Sequence, residues 1–276
     1  MHWLRGVAAA AMLSLLMGCV APNTETAVVK QLSKQQPKLS SAIVEARKKQ
    51  DDRVALRAQK TPIIGYKVAL GNPRAQALFA LDDPVVGYLF ADTLLDNHAT
   101  IDRRSGKRLA VEADLLAVVK DSAINKAHTI EQVAASISHI AAFIECPDLV
   151  VLPGPTNGAA FIATNAAVRF GVVGDVIEAQ ATQSFLNRLA AMEVLLRDEQ
   201  SRELTHAHGR ELMGHPYNAV LYLLQDLRRR EIPLRAGDRI SLGAFGGPVP
   251  VTEAGVVSIV YQGLAERPLR ASVTFR

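Results

Sequence analysis

The chain has 276 residues, 49% apolar and 21% charged, with a formal net charge of +4. That length and apolar fraction can bury a sizeable core in one or two domains and exclude a disordered chain. The 31 basic residues are scattered among 27 acidic ones, and no basic stripe interleaved with aromatics occurs, which argues against a nucleic-acid surface.

Residues 1–5 are a short cationic start, and residues 6–17 form an apolar stretch with the length of a signal-peptide core. That stretch is too short for a permanent transmembrane helix. Leu16-Met17-Gly18-Cys19 resembles a bacterial lipobox, which implies a lipoprotein signal peptide over 1–18 and lipidation of Cys19. Val20 rather than Asp follows the cysteine, which by analogy with enteric bacteria favours the outer membrane, facing the periplasm. The alternative is a plain secretory signal. Only Cys146 remains as a second cysteine, so no intrachain disulfide is expected; its apolar surroundings read as a packed core thiol.

Residues 20–40 read as a tether, and residues 42–58 as a charged surface helix, so 19–60 is expected to precede a domain over 61–276. Pro62 marks a boundary, residues 63–70 a buried strand, and residues 72–79 a short helix with Pro73 in its first turn. Residues 109–119 alternate as a strand. Thr129-Ile130-Glu131-Gln132 is a capping-box pattern, and Val133, Ile137, Ile140 and Ala141 continue from it at helical spacing. Residues 192–196 and 204–208 read as a hairpin. His215-Pro216 opens a helix with Ala219, Leu223, Leu224 and Leu227 on one face, ended by Pro233. Short strands then alternate with Gly and Pro turns, giving an α+β class.

Glu112 and Asp114 are two apart on a predicted strand and share a face with apolar neighbours. Two anions on such a face call for a compensating positive charge, and a hard divalent cation is the simplest candidate. Glu145, in the apolar run 141–146, adds a third carboxylate. The alternative is a solvated pair on an edge strand, with Glu145 at a fraying helix end. His206 and His208 share a strand face and could bind a metal with His139 or His215, but read more readily as solvated. Gly154, Gly158, Gly171 and Gly174 lack a dinucleotide-loop context, and Ser241 lacks a nucleophile elbow.

Gly65-Tyr66-Lys67, Gly87-Tyr88-Leu89-Phe90, Glu112-Ala113-Asp114, Glu145, Gly214-His215-Pro216-Tyr217-Asn218-Ala219 and Gly237-Asp238-Arg239-Ile240-Ser241-Leu242-Gly243 occur in that order. Together they resemble the 2-oxopent-4-enoate hydratase and 4-oxalocrotonate decarboxylase branch of the fumarylacetoacetate hydrolase superfamily, over residues 61–276. The resemblance implies a mixed β-sheet roll with flanking helices after a short N-terminal helical region. It also implies a lyase that binds Mg²⁺ or Mn²⁺ through Glu112, Asp114 and Glu145 and handles a small unsaturated 2-oxo acid as a metal-stabilised enolate. Lys67 matches the family's proton-transferring lysine, Asp92 an acidic residue of the same region, and Asn165, Ser241 and Gly243 the substrate-binding positions. Between apolar residues and close to the metal, Lys67 is expected to have a lowered pKa; a snorkelling surface lysine is the alternative. The sequence departs from the family at three places: Asp114 stands for a Glu, Leu109-Ala110 for a Pro-Arg, and Thr164-Asn165-Ala166-Ala167 for Asp-Asn-Ala-Ser. A non-catalytic envelope lipoprotein that binds a 2-oxo acid and an acylpyruvate-type C–C hydrolase are the rival readings, and a homo-oligomer is left open.

Overall fold

A computed structural model describes residues 40–276 of the chain. The lipobox at Cys19, the 1–18 signal and residues 19–39 of the tether lie outside the described residues. Helix α1 (Ser41–Ala58) begins at Ser40, whose hydroxyl accepts from the Ile43 amide. Ala46, Gln50 and Val54 recur every four residues and form its buried stripe. The helix expected to stand ahead of a domain at residue 61 therefore packs into one compact unit, Ser40–Arg276. Its polar flanks are tied down by Arg47–Asp226 (3.3 Å), Asp51–Arg230 (2.6 Å) and Arg57–Asp92 (2.8 Å).

There follow β1 (Ile63–Ala69), α2 (Pro73–Leu78), β2 (Val85–Phe90), β3 (Leu94–Asp96), β4 (Thr100–Ile101) and β5 (Ala110–Val119). Next come α3 (Ile130–Ala135), β6 (Ile137–Cys146), α4 (Gly158–Ala163), β7 (Phe170–Glu178), α5 (Gln183–Ala191), β8 (Glu193–Asp198) and β9 (Glu203–His208). The chain closes with α6 (Pro216–Arg229), β10 (Arg239–Ser241), β11 (Phe245–Pro250), β12 (Gly255–Gln262) and β13 (Leu269–Phe275). An eight-stranded mixed sheet has the order β2-β1-β10-β5-β6-β7-β3, with β11 also pairing β5, and a five-stranded sheet runs β4-β13-β12-β8-β9. Among the described residues, no helix is long and apolar enough to cross a membrane.

One expectation is corrected here. The helix capped by Thr129 stops at Ala135, and Ile137, Ile140 and Ala141 lie on strand β6. Both faces of β6 are largely buried, so its apolar residues run nearly without a period and imitate a short helix face. The Thr129 hydroxyl accepts from the Gln132 amide as expected, while the Gln132 side chain accepts from the His128 amide rather than that of Thr129.

Alternation along β5 and β6 divides the molecule. Val111, Ala113, Leu115 and Ala117 point one way with Ile140, Ala142 and Ile144, into the main core shared with Val194, Leu196, Ile259 and Val273 of the second sheet. Glu112, Asp114 and Leu116 point the other way with Ala141, Phe143 and Glu145. The same division holds on β1: Tyr66 and Val68 join the core that includes the Tyr217, Val220 and Leu224 face of α6, and Lys67 takes the opposite side.

Gly65 sits where β1 runs parallel to β10, with φ +157°, and a Cβ there would lie 1.8 Å from the Arg239 carbonyl oxygen. Backbone cannot yield that space as a flexible side chain would. Gly65→Ala is expected to cost at least about 3 kcal/mol of stability, measured by urea denaturation, and a parent-like midpoint would contradict the β1–β10 pairing.

Candidate active site

The antiparallel register sets Glu112 directly opposite Glu145, and Asp114 opposite Phe143, on adjacent central strands. From the other side β10 pairs with both β5 and β1, placing Ser241 opposite Leu116 and beside Lys67. Three strands thus bring Lys67, Glu112, Asp114 and Glu145 to one sheet face. Lys67, Asp114, Glu145 and Ser241 are buried, and Glu112 is the half-buried member.

Lys67 donates to Glu145 Oε1 and to the Ala166 carbonyl, the latter at 3.1 Å. Asp114 is engaged on both oxygens: Oδ2 accepts from the Ser241 hydroxyl, and Oδ1 from the amides of Gly243 (2.9 Å) and Leu115 (2.6 Å). Its own carbonyl accepts from the Tyr261 hydroxyl. Glu145 Oε2 is buried with no hydrogen-bond partner.

The electrostatics follow from three carboxylates facing one ammonium. Burial, reinforced by the Glu145 charge, pushes Glu112 up to about 8 and Asp114 up to about 7; the Ser241 and Gly243 donors hold Asp114 back from rising further. The expected lowering of Lys67 is reversed. Burial alone would lower its pKa, but the charges of Glu145, Glu112 and Asp114 and the hydrogen bond to Glu145 outweigh burial and raise it. The lysine is therefore held charged. Burial pushes the Cys146 thiol up, in keeping with a packed core residue.

Among the described residues no three His, Cys, Asp or Glu side chains stand already converged as a metal cage. Lys67 takes one Glu145 oxygen and the Ser241–Gly243 turn takes Asp114. The donor set nonetheless fits a hard divalent cation. All its donors are carboxylate oxygens, two negative charges remain in excess after Lys67 when all three are ionised, and Glu145 Oε2 has no partner.

Asp92 lies in the turn after β2, its side chain 55% exposed and paired with Arg57, five residues along the chain from the Gly87 that faces Lys67. Asn165 does not reach the carboxylates. Its side chain accepts from the Tyr88 amide (2.8 Å) and donates to the Tyr88 carbonyl (2.9 Å). Ser241 and Gly243 meet Asp114. His206 and His208 sit on the exposed β9, with rings 5.7 Å apart and Glu193, Glu203 and Glu211 around them; His215 caps α6 through the Tyr217 amide. The Ala166 carbonyl and the buried Gln50 behind Asn165 were not found from sequence, since a backbone acceptor and a helix glutamine carry no motif.

No family model matches the chain. It is 26% identical over 223 residues to a 2-keto-4-pentenoate hydratase from Burkholderia vietnamiensis, covering 77% of this chain and 78% of that one. It is 26% identical to the TodF product hydratase of Pseudomonas putida, covering 73% and 74%. A 4-oxalocrotonate decarboxylase from a Pseudomonas species is 23% identical, covering 75% and 76%. Among solved structures, the 4-oxalocrotonate decarboxylase of Pseudomonas putida G7, complexed with magnesium and adipate, matches with a TM-score of 0.72 at 20% identity, over 90% of this chain and 89% of that one. The fumarylpyruvate hydrolase of Pseudomonas aeruginosa, with Mn²⁺ and pyruvate, matches at 0.56 and 15% identity, over 76% and 88%. The fold is fumarylacetoacetate hydrolase-like. These relatives are enzymes, and the chain is homologous to the hydratases over about three quarters of its length.

Removing the hydroxyl that Ser241 gives to Asp114 leaves a buried carboxylate short of a donor. Ser241→Ala is expected to cost about 1–3 kcal/mol in the metal-free protein. The hydroxyl favours the ionised carboxylate, so the cost is lost below the Asp114 titration near 7, appears as pH rises through it, and is full only above the higher Asp114 titration of the variant. Urea titrations of both proteins at several pH values test this, and a pH-independent cost would contradict it.

Proposed function

We propose that the protein is a divalent-metal-dependent lyase, a hydratase of a small unsaturated 2-oxo acid, held in the cell envelope by a lipid on Cys19. The observation that carries this reading is the buried Lys67–Glu145 pair beside Glu112 and Asp114 on one sheet face, in a chain homologous to 2-keto-4-pentenoate hydratases. Mg²⁺ or Mn²⁺, held by Glu112, Asp114 and Glu145, would act as a Lewis acid toward the substrate's carboxylate and keto oxygens.

Lys67 is the proton carrier. Kept charged by its carboxylate neighbours, it starts as an acid and hands a proton to the substrate carbon, while the dienol hydroxyl gives up its own proton to solvent and the conjugated ketone forms. Water then adds across the remaining double bond. The Ala166 carbonyl also accepts from Lys67 Nζ and so helps to fix the ammonium. Ser241 and Gly243 fix Asp114, leaving the half-buried Glu112 as the flank from which solvent and substrate approach. Leu89, Leu116, Ala141 and Phe143, packed with Val168 and Val173, form an apolar cluster on the same face that suits a hydrocarbon tail.

The roles of lysine and carboxylates should separate. Lys67→Met is expected to leave Mg²⁺ or Mn²⁺ affinity intact and to cut turnover of 2-hydroxypenta-2,4-dienoate, followed by absorbance, by about 10²–10⁴. Glu112→Gln should weaken metal binding first, with activity partly restored at high metal concentration. Equal activity of Lys67→Met and the parent would remove the lysine from the mechanism, and metal binding without turnover of any 2-oxo acid would favour a binding module.

Lipid anchorage is tested apart from catalysis. Cys19→Ser is expected to abolish acyl labelling and membrane retention; a processed protein still held in the membrane would refute the lipobox assignment.

A further inference from the structure

Among the described residues, the one hydrogen bond of the Lys67 ammonium that does not depend on the carboxylates goes to the Ala166 carbonyl. That carbonyl stands on an unusual support. Asn165, Ala166 and Ala167 are three successive non-glycine residues with positive φ, 61°, 53° and 59°. Left-handed backbone costs an L-residue roughly 1–2 kcal/mol, so the segment would not keep this shape unaided. It is held down on the sheet at Gly87, where a Cβ would lie 2.9 Å from the Asn165 carbonyl oxygen and 3.2 Å from the Ala166 Cβ.

The clamp is made of two side-chain amides. Asn165 bonds both backbone groups of Tyr88 on β2. Gln50 reaches across from α1, only 1% exposed, and its Nε2 donates to the Val86 carbonyl (2.8 Å) and to Asn165 Oδ1 (3.2 Å). A hydrogen-bonded path thus leads from the N-terminal helix through Asn165 and the Ala166 peptide to Lys67 Nζ. Its links join residues 115 and 99 positions apart in the chain.

We propose that Gln50 is a positioning residue for Lys67, acting through Asn165 and the Ala166 carbonyl. This rests on the reading of Lys67 as the proton carrier. The flexible four-carbon stem of a lysine does not fix its own ammonium, and proton transfer is sensitive to misplacement on the ångström scale. If Gln50 served only to satisfy the rim of β2, its loss would lower stability and leave the lysine undisturbed.

The test compares the full chain with Gln50→Met, which keeps the bulk and removes the amide. Asn165→Gly, which keeps left-handed backbone available and removes the clamp, is the second variant should the first not fold. Two readouts are taken. The first is the ¹⁵Nζ resonance of Lys67 in lysine-labelled protein, identified by its loss in Lys67→Met. The second is kcat and KM on 2-hydroxypenta-2,4-dienoate with saturating Mg²⁺. The expected result is a shifted Lys67 resonance in faster exchange with water, kcat down about tenfold and KM changed less than about twofold. A lower melting temperature with the Lys67 resonance and kcat both as in the parent would overturn the proposal. Should the parent itself show no turnover, the enzymatic reading falls, and the resonance alone decides whether Gln50 positions Lys67.

Discussion

The site depends on one pairing, Glu112 against Glu145 across β5 and β6. Side chains on a strand alternate, so the register that joins these two residues also fixes which face is core and which is chemical. A slip of one residue on either strand would carry its carboxylates into the layer of Val111, Leu115 and Ile144. Two carboxylates on facing central strands are costly in themselves, and the rest of the face is arranged around that cost. Lys67 comes from β1, the Ser241 hydroxyl from β10, and the Gly243 amide from the turn after it. The fold gathers three carboxylates around one ammonium, and the part of that cost Lys67 does not offset shows in the raised pKa values of Glu112 and Asp114.

Much of this was legible in the sequence. The spacing of Glu112 and Asp114 on an alternating strand, the buried strand around Lys67, the short helix with Pro73 in its first turn, the cap at Thr129, and the His215-Pro216 helix all follow from local rules. Their agreement with the ordered motifs located both the fold and the carboxylates. Strand β6 was not legible, because a segment buried on both faces loses the period that distinguishes strand from helix. The direction of the Lys67 shift was not legible either. Its apolar neighbours in sequence point to desolvation, whereas the charges that outweigh desolvation arrive from strands 45 and more residues away. Gln50 escaped for a related reason: a single buried amide in a highly charged helix has no local pattern to mark it.

The homologues and the structural neighbours bear on different parts of this picture. The hydratases align over about three quarters of the chain at 26% identity, and the magnesium-bound decarboxylase shares the fold over 90% of it at 20%. The carboxylates, the lysine and the Ser241–Gly243 turn lie within residues that the family resemblance covers, and they meet on one face. Helix α1 lies before that stretch, yet it is joined to the same unit by three ion pairs and the Gln50 amide.

That attachment bears on how copies of the protein can meet. β2 is the terminal strand of the larger sheet, the position at which an exposed row of amides and carbonyls would normally recruit a strand from another molecule. Here the Val86 carbonyl and both backbone groups of Tyr88 are already taken by Gln50 and Asn165. The larger sheet is therefore sealed against extension along Val86–Tyr88. A second copy cannot add a strand along that stretch, and the margin beside Lys67 is guarded by side chains from α1 and from the Asn165 segment.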